Sequence, residues 1–189
     1  MEFKKIQLNG FKSFAEKTNF LIEDGLTGIV GPNGCGKSNI VESLRWVMGE
    51  TSAKSMRGSG MEDVIFSGTS NKASKNIAEV SIEVENKDKE GPIQYRETEQ
   101  IQIRRKIEKD KGSKFYINDK EVRARDAQMF FADLSTGAHS PSMISQGRIG
   151  ALVTAKPTDR RSILEEAAGI SGLHVRRHEA ELRLSLIHI

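Results

Sequence analysis

The eight residues Gly31-Pro32-Asn33-Gly34-Cys35-Gly36-Lys37-Ser38 constrain this chain more than any other stretch. They match the pattern G-x-x-x-x-G-K-[ST], in which each residue type has a physical reason. Glycines let successive backbone N–H groups turn toward phosphate oxygens with no Cβ in the way. Lys37 brings a mobile positive charge to the β/γ-phosphates, and the Ser38 hydroxyl is a hard oxygen ligand for Mg2+. From average residue frequencies, a chance match arises in roughly 1% of chains this long. The flanking sequence also fits. Leu26 to Val30 is an apolar run without alternation, as expected of a strand buried on both faces. After the loop, Ile40, Val41, Leu44, Val47 and Met48 fall on one stripe of a helix over 39–48, which Gly49 can end. The positive end of that helix dipole faces the loop. Strand, phosphate loop and helix are therefore the predicted local fold, with a nucleotide phosphate as ligand. Cys35 has two readings: a small filler, or a thiol made reactive by the surrounding N–H dipoles when no nucleotide is bound.

Elsewhere the pattern predicts strands at 3–8, 20–22, 61–66, 77–85, 99–107 and 115–117, with turns at Asn9-Gly10 and Asn118-Asp119. Helices are predicted at 123–134 and at 158–168, the latter capped by Thr158 or Asp159. Residues 51–60 and 135–141 read as loops, 143–149 as a mixed segment, and 173–184 as helical in composition. A 37% hydrophobic and 29% charged composition fits a folded chain rather than a disordered one. No apolar run approaches the ~18 residues of a membrane span, and one cysteine leaves no internal disulfide, so a reducing cytoplasm is the expected home. The net charge of +3 neither demands nor excludes nucleic acid. Basic residues do cluster at Arg104, Arg105, Lys106, Lys109, Lys111 and Lys114. They read either as a solvated hairpin face or as a contact to DNA phosphates. His139, His174, His178 and His188 show no metal-ligand spacing with the cysteine and read as structural or surface residues.

The order of motifs resembles the N-terminal half of an ABC-type ATPase head of the bacterial SMC family. Gly10-Phe11-Lys12-Ser13-Phe14-Ala15 looks like the SMC N-terminus, and Gly-Pro-Asn-Gly-x-Gly-Lys-Ser-Asn (31–39) is similar to the loop of SMC, RecF and RecN proteins. Gly49-Glu50, Ala53-Lys54-Ser55 and Met56-Arg57-Gly58 resemble the stretch that carries an arginine finger-like residue, followed by Met61 to Phe66. Ser145-Gln146-Gly147-Arg148-Ile149 resembles the Q-loop, and Arg160 to Ile170 the approach to the first coiled-coil arm. Two departures stand out: Gly60, where some relatives carry lysine, and the wording of Ser135 to Pro141.

This resemblance implies an α/β P-loop NTPase lobe with an antiparallel β-subdomain and the start of a coiled-coil helix. It divides the chain into head (1–172), arm (173–183) and a tail (184–189) that looks like translated adapter sequence. It implies ATP and Mg2+ as cofactors. Gly31, Pro32, Asn33, Gly34, Cys35, Gly36, Lys37, Ser38 and Asn39 would bind nucleotide, with Lys12 nearby. Lys37, Arg57 and Gln146 would act in turnover, and Ser38 and Gln146 would reach the metal. A Walker B Asp-Glu, a Ser-Gly-Gly signature and a switch histidine do not occur in this sequence. The resemblance places them in a C-terminal half that folds back onto this one. The implied partners are that half, a second protomer in a homodimer, a kleisin subunit and DNA, on the nucleoid and without a membrane. Other readings are a RecF/RecN-like repair ATPase, a P-loop small-molecule kinase, or a DNA-binding fragment without turnover.

Overall fold

The computed structural model describes residues 1–87, 89, 92–134, 153–158, 160, 161, 177, 180, 181 and 184. Six strands form one antiparallel sheet: β1 (Glu2–Asn9), β2 (Thr18–Leu21), β3 (Ile77–Glu85), β4 (Gln100–Glu108), β5 (Gly112–Ile117) and β6 (Lys120–Val122). Their order is β2-β1-β3-β4-β5-β6. Alternation in β3 sends Ala78, Val80, Ile82 and Val84 to the core, and in β4 it sends Ile101, Ile103, Arg105 and Ile107 there. Each fully buried isoleucine contributes roughly 1.5–3 kcal/mol. Asn118 and Asp119 both take positive φ (48° and 62°), the two-residue turn that matches strand twist between β5 and β6.

Helix α1 (Lys37–Val47) lies across β3 and β4, and α2 (Ala124–Asp133) packs on β5 through Ala127, Phe130 and Phe131. The end of α1 is sharply defined. Gly49 N–H donates to Trp46 O (3.1 Å) and Glu50 N–H to Arg45 O (3.1 Å), with Gly49 at φ 106°. That pair of bonds satisfies the last free carbonyls and needs a left-handed residue at Gly49. A Cβ there would also meet the Gln128 side chain at 2.4 Å.

Four expectations change. Residues 26–30 form no strand, and Leu26 is 100% and Val30 94% exposed. A strand needs a neighbour for its backbone groups, and none pairs with this run among the described residues. Met61–Val64 is a 3-10 turn rather than a strand, because the Asp63 carboxylate accepts from the Gly60 and Ser59 N–H groups (3.0 and 2.6 Å) and curls the backbone. Within α1, Val41 and Leu44 are only half-buried, while Glu42, Ser43 and Trp46 face inward. Arg105 is no surface cation. It is 2% exposed, with its guanidinium over the rings of Trp46 (4.5 Å) and Phe115 (4.7 Å). It donates to the carbonyls of Trp46 and Glu50, both at 2.7 Å, and so also holds the end of α1. Burial pulls its pKa down to about 10, which leaves it charged at neutral pH.

Candidate nucleotide-phosphate site

The phosphate loop runs into α1 through Gly36, which caps the helix at φ 97°. A side chain is excluded there twice over, by the left-handed backbone and by space. A Cβ on Gly36 would lie 2.6 Å from Ser13 Oγ and 3.4 Å from Phe14 Cζ. The ring and hydroxyl that fill this space come from a tight turn in which Phe11 and Phe14 exchange both backbone bonds (3.1 and 2.8 Å). Lys12 N–H is tied to Val64 O at 2.7 Å, so the 11–14 and 61–64 turns are clamped together.

Lys37 folds back over its own loop, donating to Gly31 O (2.5 Å) and Pro32 O (2.6 Å), with Cys35 Sγ at 3.7 Å. Cys35 is exposed. Ser38 is exposed on the first turn of α1, whose dipole favours an anion. Asn39 joins two neighbouring loops to this turn: its Nδ2 donates to Ser13 Oγ (2.9 Å), and its Oδ1 accepts from Arg57 Nη2 (3.3 Å).

Arg57 and Lys12 both converge on Glu42, one turn beyond Ser38, and each ion-pairs with its carboxylate. Lys12 Nζ also donates to Met56 O at 2.5 Å. Both cations sit on left-handed backbone, at φ 47° for Lys12 and 55° for Arg57, a conformation that costs L-residues about 1–2 kcal/mol. Asp63 steadies the adjoining loop. Hydrogen bonds from Gly60 N–H and from Ser59 hold its carboxyl below the usual carboxylate range.

The structure thus brings Lys12, Arg57, Lys37, Ser38 and Asn39 to one end of α1. Gln146 lies outside the described residues, as do the expected 143–149 segment, all four histidines and most of 158–189. Sequence reasoning missed Glu42 and Ser13. The only signal for Glu42 was its four-residue spacing from Ser38 on a helix with a largely apolar face.

The residues fit a nucleotide phosphate. The cradle is closed to side chains at Gly36, Lys37 lies over the loop, and the first turn of α1 carries no acidic residue. A family model for the RecF/RecN/SMC N-terminal domain matches residues 2–148. The chain belongs to that family. Its curated relatives include SMC proteins. The chain is 57% identical over 185 residues to the "Chromosome partition protein Smc" of Cereibacter sphaeroides, and 55% identical over 184 residues to that of Rhodopseudomonas palustris. These alignments cover 98% and 97% of the chain, which spans 16% of the length of each relative. Among solved structures, an SMC head bound to the C-winged helix domain of ScpA matches with a TM-score of 0.84 at 31% identity, over 90% of this chain and 52% of that one. An SMC head with an extended coiled coil, from Pyrococcus furiosus, matches with a TM-score of 0.82 at 30% identity, over 97% of this chain and 46% of that one. The fold is therefore the α/β P-loop lobe of an SMC head.

Proposed function

We propose that this chain supplies the ATP- and Mg2+-binding half of an SMC ATPase head, completed by a C-terminal segment that carries the general base and signature motif. The observation that carries this reading is the glycine cradle closed to side chains at the N-terminus of α1, with Lys37 folded over its loop and Arg57 tied to Asn39 on the first turn. Gly31 to Lys37 would hold the phosphates, Ser38 and Gln146 the metal, and Arg57 and Gln146 would act on the transferred phosphate and the water. Bound ATP would supply the phosphoanhydride that is cleaved. This chain's residues orient it, neutralise its charge and leave the exposed 26–30 run for the completing segment to cover.

In that setting ATP drives engagement of two heads of a homodimer, in the service of chromosome condensation and segregation in the cytoplasm. DNA and a kleisin are the further partners. The ScpA-bound heads and the SMC structure described as showing ATP-driven dimerisation and DNA-stimulated activation support this. The domain boundaries at 172 and 183, and the exclusion of 184–189, belong to the same proposal.

The test is calorimetry on the completed head. Charge-assisted phosphate contacts contribute roughly 1.5–3 kcal/mol each, so Lys37→Ala should weaken ATP binding about 10- to 150-fold. An unchanged dissociation constant would remove the phosphate-loop assignment.

A further inference from the structure

Glu42 is the carboxylate that both Lys12 and Arg57 pair with. It is 8% exposed, on the second turn of α1, and faces two cations from separate loops, Lys12 and Arg57. A buried carboxylate needs such partners to offset its lost hydration, and Lys12 also feels the Asp63 carboxylate. The Glu42 pairs reach toward the first turn of α1, because helical side chains lean toward the N-terminus and Ser38 stands four residues before Glu42. Arg57 is also tied to Asn39 Oδ1 (3.3 Å) on that first turn, yet its side chain is 59% exposed. A long, half-solvated arginine keeps one direction only if something fixes it. Glu42 and Asn39 do so from the same helix that presents the phosphate loop.

We infer that Glu42 is a positioning residue for turnover: from the helix that presents the phosphate loop, it aims Arg57 at the transferred phosphate. The inference rests on the proposed role of Arg57. It makes a distinct demand, because a group that aims Arg57 should matter to kcat only while Arg57 is there to be aimed.

The experiment measures steady-state ATPase in the full-length protein for Glu42→Gln, Arg57→Ala and the double variant. Glu42→Gln keeps the shape and removes the charge. Misdirecting a catalytic group by about 1 Å costs on the order of 100-fold, so kcat should fall about 10- to 100-fold with the KM for ATP within about threefold. The double variant should turn over no more slowly than Arg57→Ala, within about twofold. A merely structural role would instead raise KM and lower the melting temperature, and its loss would multiply with that of Arg57→Ala. That outcome overturns the inference. Should Glu42→Gln fail to fold, Glu42→Asp keeps the charge and shortens the reach, and should again lower kcat at constant KM. Normal turnover in Arg57→Ala removes the role of Arg57 and this inference with it. A loss in Arg57→Ala with none in the Glu42 variants removes this inference alone.

Discussion

Replacing Arg105 with alanine separates the two readings of the basic cluster. In the structure Arg105 is a core residue. It makes two charge-assisted hydrogen bonds at 2.7 Å to the end of α1, one to Ser113 Oγ at 3.1 Å, and two cation–π contacts. Bonds to charged donors contribute about 1.5–3 kcal/mol each, and desolvated cation–π contacts about 1–2. Desolvation of the guanidinium opposes these by several kcal/mol. The net expected loss for Arg105→Ala is about 3 kcal/mol, a large share of the ~5–15 kcal/mol that holds a typical domain together. Urea unfolding of the completed head reads this directly. Trp46 is the single tryptophan of this chain, fully buried and stacked on Arg105, so its emission reports the element being tested. With a urea slope of about 2–3 kcal/mol per molar, the midpoint should fall by about 1–1.5 M. A shift below about 0.3 M, or a loss of DNA affinity with the unfolding transition intact, would put Arg105 on the surface and refute the reasoning.

Three further outcomes are expected. Saturating MgATP should slow thiol labelling of Cys35, which is exposed beside Lys37 Nζ; equal rates with and without nucleotide would place it outside the site. Asp63 is held below its ordinary 3.8, chiefly by Gly60 N–H, so its contribution is full above pH 3.8 and is lost as pH falls through the lowered value. The melting-temperature gap between wild type and Asp63→Asn should accordingly close in acid, and a constant gap down to about pH 2 would count against the anchor. Finally, because Leu26 and Val30 are almost fully exposed, the 189-residue chain alone should self-associate and show no turnover above background. Light scattering and ATPase assays with and without the C-terminal segment check this, and a monomeric, active chain would contradict it.

Much of the candidate site's local structure was legible because it is set by neighbouring residues. Glycine at 36, with lysine and serine after it, dictates a loop that turns into a helix, and the same few residues create the anion-favouring terminus. Gly49 marked the end of α1, and the Asn118-Asp119 pair marked a tight hairpin, since both depend on backbone conformations that adjacent residues set. β3 was legible in full, because nine residues of alternation leave little choice of face.

What escaped sequence reasoning depends on groups distant in the chain. Arg105 shares the buried face of β4 with Ile101, Ile103 and Ile107, but its place among basic residues suggested a solvated face or a DNA contact. Only the packing of Trp46, 59 residues away, makes a buried guanidinium tenable. The 26–30 run carries the composition of a buried strand, yet composition cannot supply the neighbour that a strand's backbone needs. Glu42 looked like one more helix charge until the fold set Lys12 and Arg57, 30 and 15 residues away in sequence, against it. Sequence by itself determined the backbone at Gly36, Gly49 and Asn118-Asp119 and the core face of β3, because those follow from sterics and periodicity along the chain. Which cations meet which carboxylate was decided only by the tertiary structure, because an ion pair depends on distance in space and on the water that packing removes.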